Sequence, residues 1–145
     1  MRLRSVFVLS ILILALSACQ STPASSPTAN PTAATRPHST ATLAIVTPQP
    51  AATVTTTTLD VRFDLQGGKI VTQTSTNLTP DEGHIHLSID GKLISMNYQL
   101  EQTVSLQAFA PGPHVLQGEF VAKDHAPFSP RVITKLIFEY QPPGS

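Results

Sequence analysis

Four of the chain's five histidines, His84, His86, His114 and His125, lie in its second half, each beside a turn or at the end of an alternating segment. Imidazole is the side chain whose charge changes near neutral pH and the commonest transition-metal ligand. His84 and His86 are two residues apart in a stretch where Ile85, Leu87 and Ile89 alternate with them. On an extended strand such residues share one face about 7 Å apart. Two rings so placed can hold one ion, and Cu(II) and Zn(II) are the metals that suit them. His114 follows Pro111-Gly112-Pro113 and His125 follows Asp124, so two further rings come from loops at the same expected edge. The candidate metal set is therefore His84, His86, His114 and His125. Asp124, or alternatively Asp81, is the carboxylate that would orient a ligating ring through its second nitrogen. The competing reading is structural, because imidazoles at strand ends also hydrogen-bond to loop backbone and pin turns. The domain would then be a protein- or glycan-binding adhesion module.

Other chemistries lack their residues. A blue-copper centre requires a thiolate, and the chain has one cysteine, Cys19, well before the histidines. The same count rules out an intrachain disulfide and a thiolate-rich zinc or iron–sulfur site. No Gly-x-Ser-x-Gly elbow occurs, so the expectation is a binding protein with no catalytic residues. Nine basic residues balance nine acidic ones, and no Lys/Arg cluster occurs beyond the first four positions. A nucleic-acid binder would show a basic footprint, and none is present.

The elements that must position the histidines are short strands. Leu59, Val61, Phe63 and Leu65 alternate with polar residues up to Gly67-Gly68, which reads as a strand and a turn. Lys69 to Thr76 reads as a second strand and Asn77 to Gly83 as a loop. The His84–Ile89 strand then ends at Asp90-Gly91, a two-residue hairpin signal. Leu93 to Met96, Thr103 to Phe109, His114 to Ala122 and Val132 to Tyr140 complete the set. Six or seven strands in under 90 residues, without an amphipathic helix, predict an all-β fold, a single small antiparallel immunoglobulin-like sandwich over 58–141 followed by a tail, 142–145. A small open barrel is the alternative.

Before the domain, residues 19–57 are rich in Thr, Pro, Ala and Ser, with Arg36 as their only charge. Such a composition predicts a disordered tether. Leu43-Ala44-Ile45-Val46 is its one apolar patch and is read as linker rather than strand. Earlier still, Arg2 and Arg4 precede an apolar run from Val6 to Leu16, the layout of a secretory signal peptide over 1–18. The run is too short for a permanent membrane span.

Leu16-Ser17-Ala18-Cys19 resembles the lipobox of bacterial lipoproteins. The resemblance implies cleavage before Cys19, diacylglyceryl transfer to its thiol, and lipid anchoring to the cell membrane or outer membrane, facing away from the cytoplasm. Two or three acyl chains suffice for stable attachment, since each buried CH₂ contributes about 0.8 kcal/mol. A second resemblance covers 59–140. Gly83-His84-Ile85-His86, ending in Asp90-Gly91, then Pro111-Gly112-Pro113-His114 and Asp124-His125-Ala126-Pro127, resembles a pattern in secreted bacterial domains of unknown function. It implies an immunoglobulin-like sandwich and the four histidine positions, and brings no activity with it.

Overall fold

The structure, a computed structural model, describes residues 35–144. The expectations for the signal peptide, for Cys19 and for the tether over 19–34 lie outside the described residues.

Within them the chain forms nine strands and no helix: β1 (Thr42–Thr47), β2 (Thr53–Val54), β3 (Thr58–Gln66), β4 (Lys69–Ile70), β5 (Glu82–Ile89), β6 (Lys92–Asn97), β7 (Glu101–Ser105), β8 (Gly112–Ala122) and β9 (Pro127–Tyr140). They make two sheets, β1-β3-β7 and β2-β9-β8-β5, with β4 and β6 both on the outer side of β5. The first strand is divided between the sheets, β1 pairing β3 and β2 running parallel to β9. This strand order is the immunoglobulin-like sandwich. The long pairings are antiparallel, while the two-residue contacts β2–β9 and β4–β5 are parallel.

Alternation sets which face each strand buries. Leu59, Val61 and Phe63 of β3 face Ile85, Leu87 and Ile89 of β5 and Leu116 and Phe120 of β8 across one core. Burying each such side chain contributes about 1.5–3 kcal/mol, and the β9 residues Val132, Leu136 and Phe138 extend the same layer. Gly118 lets the sheets interlock, because a Cβ there would lie 2.4 Å from the Phe63 ring.

Two expectations are corrected. Residues 35–57, expected as tether, belong to the domain: Leu43-Ala44-Ile45-Val46 lies in β1, paired with β3, and Ala41, Leu43 and Ile45 pack on the core. Threonine and alanine dominate this segment, but a strand that borrows a neighbour's hydrogen bonds and buries one apolar row does not need a hydrophobic composition of its own. The second strand, expected over 69–76, is only Lys69–Ile70. Beyond it the Ser75 hydroxyl accepts from the Asn77 N–H, one of the local side-chain bonds that compete with a sheet ladder.

The Asp90-Gly91 hairpin is as expected. Both residues have positive φ, 52° and 79°, and Ile89 pairs Lys92 across a two-residue loop.

Candidate metal centre

His84 and His86 lie on β5 and project from the face opposite Ile85 and Leu87, as the alternation requires. Gly83 precedes them because the strand passes tightly against β8: a Cβ at 83 would come within 1.8 Å of the Val121 carbonyl oxygen. On β8 the partners of His84 and His86 are Val121 and Glu119. The chain then turns through Lys123 to Ala126 into β9. His125 takes a positive φ of 65° in this turn, and its N–H donates to the Ala122 carbonyl at 3.0 Å. That tight reversal brings the His125 ring back over the end of β8, above His84.

Three ring nitrogens converge there. His84 Nε2 lies 2.9 Å from His125 Nδ1 and 3.2 Å from His86 Nε2, and the last two are 3.4 Å apart. His84 is fully buried, while His86 and His125 are partly open to solvent. Burial first, then the neighbouring His125 and His86, push the His84 imidazole down to about 4. Burial and His125 also lower His86, against the pull of Glu119. For His84 and His86 the environment thus favours the neutral ring, the form that ligates metal.

Ring nitrogens so arranged cannot all satisfy one another. Each nitrogen in the triangle presents a lone pair or a single proton, so at least one of the three contacts sets lone pair against lone pair or proton against proton. A cation on the axis of the triangle would instead accept a lone pair from each of the three nitrogens. With metal–nitrogen bonds of about 2.0–2.1 Å, separations of this size correspond to N–metal–N angles of roughly 90–110°. The trio therefore fits three cis positions of one first-row ion and leaves a fourth open.

His114 is elsewhere. Its ring lies at the other end of β8, among Phe109, Phe138 and Tyr140. Its Nδ1 donates to Asp90 at 2.7 Å and its Nε2 to the Ala110 carbonyl at 2.8 Å. Burial opposes its protonation, but Asp90, the Ala110 carbonyl and the charge of Glu139 outweigh it and raise its pKa. This is a clamp between loops, so of the four candidate ligands three meet and His114 does not. The register explains it: His114 falls on the core-facing row of β8 with Leu116, while His84 and His86 stand on the outer face of the sheet, opposite Val121 and Glu119, and His125 comes from the turn beyond β8.

The expected orienting carboxylates are also committed elsewhere. Asp124 binds both amino nitrogens of the Arg36 guanidinium, and Asp81 accepts from Ser39, Thr40 and Ala41. The carboxylate beside the trio is Glu119, buried and held in a two-pronged pair by Arg131 at 2.7 and 2.6 Å. Tyr98 packs its ring on His84 with centroids 5.1 Å apart, and Met96 pairs His86 across β5–β6. Once the His84–His86 strand is assigned, hairpin and β8 pairing would have marked Glu119 as a neighbour, whereas Arg36 carries no local signal.

Comparison with known proteins adds one structure. No protein-family description and no curated protein sequence matches the chain. The crystal structure of CopC from Methylosinus trichosporium OB3b aligns with 70% of this chain and 94% of its own, at 20% identity and a TM-score of 0.37.

Proposed function

We propose that this is a lipid-anchored, extracytoplasmic binding protein whose sandwich domain holds one divalent ion, Cu(II) or Zn(II), on His84, His86 and His125, with no catalytic step of its own. The observation that carries the reading is the nitrogen triangle, whose three ring nitrogens lie 2.9 to 3.4 Å from one another and, among the described residues, make no hydrogen bond to loop backbone. Histidines that merely fix loops behave as His114 does, with an acceptor on each nitrogen. Anchoring is supported by the order of charge, apolar run and lipobox ending at Cys19.

Calorimetric titration with Cu(II) and Zn(II), of the wild type and a His84→Ala/His86→Ala variant, tests the site. Sub-micromolar binding lost in the variant supports it. Equal, weak binding by both forms overturns it and favours the adhesion module. Replacing Cys19 with Ser should move the protein from the membrane to the soluble fraction; retention in the membrane would refute lipid anchoring.

A further inference from the structure

The nitrogen triangle is bounded on one side by His125, which arrives from the β8–β9 turn. On the other side stands β6. Its Met96 is directly opposite His86 in the antiparallel register, and directly opposed residues share a face with Cβ atoms about 4.5–5.5 Å apart. Tyr98, two residues on, confirms the face by packing on His84. The Met96 side chain is 50% exposed, on an edge strand whose one partner in the sheet is β5. An unbranched thioether with three rotatable bonds, not held by the core, is free to swing toward its neighbour.

The geometry points to Met96 as the fourth ligand of this centre, closing the open position with a thioether and extending its cargo from Cu(II) and Zn(II) to Cu(I); the inference rests on the histidine trio being a metal site. Three imidazoles alone suit Zn(II) and Cu(II), whereas a thioether sulfur is a soft ligand that suits Cu(I). The position is specific, because the sequence contains only one methionine besides Met1. Binding requires no redox step: Cu(I) enters and leaves as Cu(I), exchanging its previous ligands for three nitrogens and one sulfur.

That scarcity makes a direct test available. The full chain, labelled with selenomethionine and loaded with Cu(I), should show a selenium neighbour in copper-edge X-ray absorption, and Met96→Leu should remove it. The same substitution should lower Cu(I) affinity, measured by competition with a chromophoric chelator, at least tenfold, while Zn(II) affinity stays within about twofold and reports an intact trio. No selenium shell together with equal Cu(I) affinity in the two forms overturns the assignment of Met96 and leaves the trio standing. Failure of the wild type to bind either ion, or binding undiminished in His84→Ala/His86→Ala, overturns the trio and Met96 with it.

Discussion

Arg36 and Asp124, 88 residues apart in the sequence, meet in a two-pronged ion pair, and the residue after Asp124 is His125. The same guanidinium donates to the carbonyls of Ala126 and Pro127, both at 2.8 Å. One side chain from the N-terminal segment therefore holds both sides of the turn that delivers the third imidazole. The pairing depresses the Asp124 pKa below the usual carboxylate range, chiefly through the Arg36 hydrogen bonds.

Replacing Arg36 with Met should therefore loosen the turn. Charge-assisted bonds of this kind contribute about 1.5–3 kcal/mol, and the partial exposure of both partners places the expected loss near the lower end. Metal affinity should drop severalfold as His125 loses its fixed position. Arg36→Lys should recover little, because an ammonium cannot span two carboxylate oxygens and two carbonyls at once. Denaturant melts and metal titrations of the three forms check this; a lysine variant equal to wild type in both would refute the bridging role.

The second expectation concerns where folding begins. A chain starting at residue 35 should give a cooperative β-sheet melt. One starting at residue 58 should be unfolded or aggregate, since it lacks β1, exposes the β3 edge, and removes Ala41, Leu43 and Ile45 from the core. Equal melting temperatures for the two would show that β1 is an accessory.

These relationships also mark how far the sequence could be read. The alternation of Leu59 to Leu65 and of Ile85 to Ile89 placed two core strands, and Asp90-Gly91 placed the hairpin that joins the second of them to β6, because period and turn chemistry are local. His84 and His86 were legible for the same reason. His125 was recognisable as a candidate, but its arrival beside His84 depends on a long-range register, and so does the departure of His114 to the core-facing row. Met96 was hidden by a single residue. A regular two-residue hairpin pairs His86 with Ser95, and the irregularity after Leu87, which leaves Ile94 unpaired, moves Met96 into that place. The segment over 35–57 was misread because threonine and proline composition speaks for the isolated chain, not for a strand completed by β3.

The third expectation is a pH dependence from the clamp at the other end of β8. His114 donates from both ring nitrogens, to Asp90 and to Ala110, and so is held as an imidazolium. Its folded pKa is raised above the ordinary value of 6.5, so the stability it contributes is fully present below about pH 6.5 and is lost as pH rises through the raised value. Asp90 stays ionised throughout this window, because its own pKa is lowered: burial works against that, but the His114 and Val115 hydrogen bonds prevail. His114→Phe keeps an aromatic ring beside Phe109 and Phe138 while removing the charge and both donors. The stability gap between wild type and this variant should be about 1–2 kcal/mol at pH 6 and should narrow clearly by pH 9, read from urea melts at each pH. A gap of constant size across that range would mean that His114 acts by packing alone, and a gap that widens with pH would contradict the imidazolium outright.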